Sequence, residues 1–133
     1  MSPDTYFQVA LQLAHYRDQG HVVATYETAT TRAYFHGRTE TVRSCTAEAL
    51  KFIQALESGT SPQKTLLSLF LDACKAHQSL VKDATFGKGV DRHLLALRMQ
   101  AYETGLTDVE FFTDPAYTRS TTFNLSTSNV SAG

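Results

Sequence analysis

The sequence predicts a mixed α/β, helix-rich fold with a partial sheet. Three observations carry this. Apolar residues recur at helical spacing in four separate segments, a β-branched and aromatic stretch occupies 22–34, and residues 122–128 carry a second, alternating strand pattern. At 133 residues the chain fits one domain, spanning 1–133.

Ser2-Pro3-Asp4 starts the first helix: a hydroxyl cap, proline at the first helical position, then an acid facing the positive dipole end. Tyr6, Val9, Ala10, Leu13 and Ala14 predict its buried stripe, and Gln8, Gln12, Arg17 and Asp18 its polar face. Gly20 stops the run. Over 22–34 the composition favours a strand, with Tyr26 and Thr28 on one face and Thr25 and Glu27 on the other. Gly37 breaks it.

Thr46 caps a short helix whose apolar face holds Leu50, Ile53 and Leu56, with Gly59 beyond its end. Ser61-Pro62 repeats the cap-plus-proline signal. Leu66, Leu67, Phe70, Leu71, Cys74 and Val81 then follow helical spacing over about five turns. Gly87-Lys88-Gly89 interrupts, and a further helix over 90–102 carries Leu94, Leu95 and Leu97. A polar connection reaching Pro115 leads to the strand at 122–128, where Ser126 and Ser128 share a face. Two strands are marginal without partners, so the segment reads as a partial domain cut inside a sheet. Its unpaired edges predict self-association.

A net charge of −1 with no basic run argues against nucleic acid as a partner. No apolar stretch approaches the ~18 residues of a membrane span. Cys45 and Cys74 form neither a metal-ligand spacing nor C-x-x-C, and read as reduced thiols of an intracellular protein. Nothing N-terminal resembles a signal peptide or other targeting signal, so the sequons at 124–126 and 129–131 carry no meaning.

Glu27 and Glu40 are an obvious carboxylate pair to consider for acid/base work, but a solvated strand face is the expectation for both. His15, His21, His36, His77 and His93 form no H-E-x-x-H or comparable pair, so no metal is expected. Ser126 and Ser128 lack a G-x-S-x-G elbow, and Gly87-Lys88-Gly89 lacks the ending of a phosphate loop.

Tyr26-Glu27-Thr28-Ala29-Thr30, Gly37-Arg38-Thr39-Glu40-Thr41, Asp91-Arg92-His93-Leu94-Leu95 and Ser126-Thr127-Ser128 occur in this order. Together with Ser2-Pro3-Asp4 and Ala10-Leu11-Gln12-Leu13-Ala14, they resemble the motifs of the carnitine/choline O-acyltransferase family, along essentially the whole chain. The resemblance implies part of the C-terminal half of a two-domain enzyme, each half being chloramphenicol-acetyltransferase-like, with the active site in a tunnel between them. It implies acyl transfer between coenzyme A and carnitine, with acyl-coenzyme A as co-substrate and no permanently bound cofactor. Mitochondrion or peroxisome is the compartment it implies.

By the same resemblance, Tyr26, Thr39 and Arg92 hold the carnitine carboxylate, and Thr28 and Ser126 line the carnitine pocket. The physics suits this: a guanidinium gives a charge-assisted bond, and neutral hydroxyls complete the carboxylate's acceptor demand. Choline-specific relatives replace the threonine and the arginine, so their presence here points to the carnitine branch, of acetyl- or octanoyl type. Ser128 matches the residue that donates to the oxyanion, a contribution of ~3 kcal/mol to barrier lowering. Gln78 and Asn129 stand where relatives contact coenzyme A through arginine and glutamine; both depart from that pattern. The family's general-base histidine lies N-terminal to these motifs, and no histidine of this chain matches its setting. A non-catalytic carnitine-binding or interaction module of the same descent is the alternative.

Overall fold

A computed structural model of the chain describes residues 2–128. In chain order these form α1 (Pro3–Gln19), β1 (Thr25–Thr30), β2 (Thr39–Val42), α2 (Ala47–Glu57), α3 (Gln63–Thr85), α4 (Asp91–Glu103), α5 (Glu110–Thr113), α6 (Pro115–Thr121) and β3 (Leu125–Thr127). The fold is mixed α/β and helix-rich, as expected.

β1 is the central strand of a sheet ordered β2-β1-β3. It pairs antiparallel with β2, Thr28 opposite Thr41 and Thr30 opposite Thr39. It pairs parallel with β3, Tyr26 opposite Ser126. Thr25, Glu27 and Ala29 are buried, whereas Tyr26 and Thr28 on the other face are half-buried. α3 packs on β1 and β2 as well as on α1 and α2. Ala29, Val42 and Ala84, backed by Val81, seal the helix against the sheet. A second cluster, Val9, Ala49, Ala73 and Cys74 with Phe52 and Phe70, joins the first three helices.

Local signals set most boundaries. Ser2 caps α1 by accepting from Thr5 N at 3.2 Å, and Gly20 closes it in the left-handed region at φ 74°. Thr46 caps α2 by accepting from Ala49 N at 3.1 Å. Pro62 itself occupies the cap position of α3 and offers no side-chain bond.

Several expectations need correction. Strand β1 stops at Thr30 rather than at 34, because two successive turns follow: Tyr34 N donates to Thr31 O at 3.0 Å and Gly37 N to Tyr34 O at 2.8 Å. A Cβ on Gly37 would come within 1.9 Å of Thr31 O, so only glycine fits that turn. The chain then returns as β2, a strand its polar sequence does not announce.

Of the apolar stripe expected on α1, Val9 alone is buried, and the rest of the buried face is polar. Thr5, Gln8, Val9 and Gln12 are buried, while Tyr6 and Phe7 are more than half exposed. Gln12 Nε2 donates to Thr25 Oγ1 at 3.1 Å and Gln8 Nε2 to Thr127 Oγ1 at 3.2 Å. The helix meets the sheet through amides that add to the partners of strand threonines, whose hydroxyls also donate to Val23 O and Tyr26 O. On α3 the buried residues are Ala73, Cys74, His77 and Ala84, and Leu67 and Leu71 are exposed. The connection before β3 contains α5 and α6, with Asp114 Oδ1 accepting from Ala116 N at 2.7 Å.

Candidate functional site

Hydroxyls of β1 and β2 and the first turn of α4 converge on one guanidinium. Arg92 Nη2 donates to Thr39 Oγ1 at 3.3 Å and lies 3.5 Å from Tyr26 OH. Its Nε donates to Thr39 O at 3.2 Å. Thr28 Oγ1 donates to Tyr26 OH at 3.2 Å, extending the chain of hydroxyls along β1. Strand alternation explains the grouping: Tyr26 and Thr28 share a face, and Thr39, opposite Thr30, stands on the same one. Arg38, Thr39 and Arg92 line a cavity of about 380 Å³. Two guanidiniums beside neutral hydroxyls make an anion site that suits a single carboxylate.

Arg43 supports this arrangement from behind. Its Nη2 and Nε meet Asp91 Oδ1 at 2.6 Å and Oδ2 at 3.1 Å, and its Nη1 donates to Ser120 O at 2.5 Å. The guanidinium also sits 5.3 Å from the centroid of the Phe123 ring, which in turn packs edge-on against Tyr26 at 5.6 Å.

The remaining expected residues lie around this centre. Ser126 is exposed on β3 as the direct neighbour of Tyr26. Ser128 follows the last residue of β3 and lines a separate cavity of about 410 Å³ with Pro3, Asp4, Phe7, Gln8 and Thr127. Gln78 is exposed on α3. Asn129 lies outside the described residues.

Glu27 and Glu40 are not on a solvated face. Their exposures are 2% and 4%. They are engaged separately, so they form no carboxylate pair. Glu27 Oε2 accepts from Ser44 Oγ and lies 2.6 Å from His77 Nε2; His77 Nδ1 lies 3.2 Å from Thr5 Oγ1. Asp4, Glu27 and His77 bring one ligand-type atom each within 4.8 Å of one another, and within this group Glu27 Oε2 and His77 Nε2 are hydrogen-bonded to each other. Glu40 Oε1 accepts from Thr41 N at 2.7 Å and Oε2 from Arg92 N at 3.4 Å. One signal for Glu27 was legible: it shares strand parity with Ala29, the apolar residue of β1.

The model of the family described as Choline/Carnitine o-acyltransferase matches residues 1–133. The chain belongs to this family. It is similar to human "Peroxisomal carnitine O-octanoyltransferase", 47% identical over 133 residues that cover 98% of this chain and 22% of that protein. "Carnitine O-acetyltransferase" of Columba livia is 44% identical over 132 residues, covering 99% and 21%. Human "Carnitine O-palmitoyltransferase 1, muscle isoform" is 42% identical over 132 residues, covering 97% and 16%. The chain thus spans about a fifth of the length of the curated relatives it matches. Among the described residues no helix is long and apolar enough to cross a membrane.

Proposed function

We propose that this chain forms the carnitine-binding wall of a carnitine O-acyltransferase that moves acyl groups between coenzyme A and the carnitine hydroxyl. The observation that carries the reading is the convergence of Arg92 with the hydroxyls of Tyr26 and Thr39. Carnitine offers one carboxylate, and a guanidinium flanked by neutral hydroxyls matches its charge and its acceptor demand. Thr28 extends the hydroxyl row, and Ser126 lines the pocket beside Tyr26. Ser128 donates to the oxyanion, and Gln78 stands at a position where relatives with arginine approach coenzyme A. The general-base histidine belongs to a part of the enzyme outside this sequence, and the chain forms part of one chloramphenicol-acetyltransferase-like half. The name of the human octanoyltransferase supports a peroxisomal setting, and family resemblance alone supports a mitochondrial one.

The test is Arg92→Asn in an acyltransferase of the relatives' full length carrying this segment. The carnitine KM should rise far more than the acyl-coenzyme A KM. Equal change in both, or no change for carnitine, would overturn the reading.

A further inference from the structure

We infer that Glu40 is a positioning residue for the proposed carnitine site, an inference that rests on the reading above. Consecutive residues of β2 grip the two ends of Arg92. Thr39 receives its guanidinium through a carbonyl and a hydroxyl, and Glu40 Oε2 accepts its backbone N–H.

The first N–H groups of a helix have no intrahelical partner, and a capping side chain normally accepts from the second or third of them. Val90, the residue at the cap position of α4, supplies no such bond. Arg92 is the second residue of α4, and the acceptor it finds is a carboxylate 52 residues upstream. At 3.4 Å that contact is long for a hydrogen bond, so the charge of Glu40 against the positive end of the helix does most of the holding. Among the described residues Glu40 forms no ion pair, which leaves backbone N–H groups as its partners. The bond from Thr41 N at 2.7 Å fixes its carboxylate to the strand.

Gly89 makes room for this arrangement. A Cβ there would come within 2.3 Å of Glu40 Cγ and 2.7 Å of Cδ. The requirement is space, not backbone freedom, since Gly89 is not among the residues with positive φ. Gly89→Ala therefore displaces the Glu40 side chain without altering a charge. Glu40→Gln keeps its size but removes the charge, and turns a donor towards one of the two N–H groups. Two unrelated changes act on one seat.

The experiment measures KM for carnitine and for acyl-coenzyme A, kcat and thermal stability. It uses Glu40→Gln, Gly89→Ala and Arg92→Asn in an acyltransferase of the relatives' full length carrying this segment. Loss of correct placement of Arg92 should raise the carnitine KM by about five- to tenfold in either variant, short of losing the guanidinium outright, with the acyl-coenzyme A KM held within about twofold. The double variant should fall below the product of the two single effects, because both empty the same seat. If Arg92→Asn raises the carnitine KM while Glu40→Gln and Gly89→Ala leave it unchanged, the positioning role is overturned and the carnitine site stands. The role is also overturned if both KM values rise in proportion to a loss of stability. If Arg92→Asn itself leaves carnitine KM unchanged, the site reading falls and this inference with it. Should one variant fail to fold, the other decides.

Discussion

Arg43 and Asp91 meet through two contacts, at 2.6 and 3.1 Å, and Asp91 immediately precedes Arg92. The pair is partly buried, with side-chain exposures of 32% and 12%. It ties the strand end after β2 to the first turn of α4. It also reaches α6, because Arg43 Nη1 bonds Ser120 O. A lysine could not reproduce this fork.

Arg43→Lys should therefore lower stability by about 1–3 kcal/mol, the range for leaving a buried hydrogen-bonding partner unsatisfied. A double-mutant cycle with Asp91→Asn measures the coupling directly. Additive effects would show that the two residues act independently.

The amide contacts of α1 predict a contrast along one helix. Gln12 is 2% exposed and donates to buried Thr25. Gln12→Ala leaves a cavity and removes that donor, and should cost about 1–3 kcal/mol. Gln19 is exposed and its side-chain amide donates to neighbouring Asp18, so its replacement by alanine should change stability by less than about 0.5 kcal/mol. Chemical denaturation of the two variants checks both. Equal losses would refute the polar docking of α1.

These contrasts mark where the sequence was readable. Caps and stops were legible because they are local: Ser2, Gly20 and Thr46 act within a few residues of themselves. The grouping of Tyr26, Thr28, Thr39 and Arg92 came from resemblance, and strand alternation accounts for only part of it. What local pattern could not supply is the pairing of distant polar groups. Gln8 and Gln12 look like a solvent face until the threonines of β1 and β3 are set against them. Glu27 and Glu40 look solvated until His77, Ser44 and the start of α4 arrive from elsewhere in the chain. The short β2 escaped notice because its buried side includes a glutamate.

Burial gives the thiols a pH signature. It pushes both Cys45 and Cys74 above the usual 9.0, so the folded chain holds its thiol protons to higher pH than the unfolded chain does. The unfolded state then loses protons first. The thiol contribution to stability is full below about pH 9 and is lost as pH rises through the raised values. Melting at about pH 8 and about pH 10 should show a smaller loss in Cys45→Ala/Cys74→Ala than in the parent chain. An identical loss in both would place the alkaline sensitivity elsewhere.

The isolated 133-residue chain should self-associate. Among the described residues β2 and β3 each pair with β1 alone, so both present an unpaired edge, although Glu40 covers one N–H of β2. Phe7, Leu67 and Phe111 add exposed apolar surface. Sedimentation velocity over a wide concentration range should show mass rising with concentration. A monomer throughout would show that the edges are adequately protected.

Removing the carboxylate partners in steps should expose the basis of substrate choice. Arg92→Asn removes a charge-assisted bond worth about 1.5–3 kcal/mol, which corresponds to roughly ten- to a hundredfold in carnitine affinity. Thr39→Val then removes the hydroxyl that Arg92 Nη2 now contacts, with little change in volume. The hydroxyl of Tyr26 and the hydroxyl row along β1 remain. In an acyltransferase of the relatives' full length carrying this segment, the double variant should lose most of its preference for carnitine over choline. Choline lacks the carboxymethyl group and so has no carboxylate for these residues to hold; its own use should be unchanged or improved. Competition assays with the two alcohols against one acyl-coenzyme A measure the ratio. If carnitine and choline fall together, Arg92 and Thr39 hold the fold of the pocket and not the carboxylate.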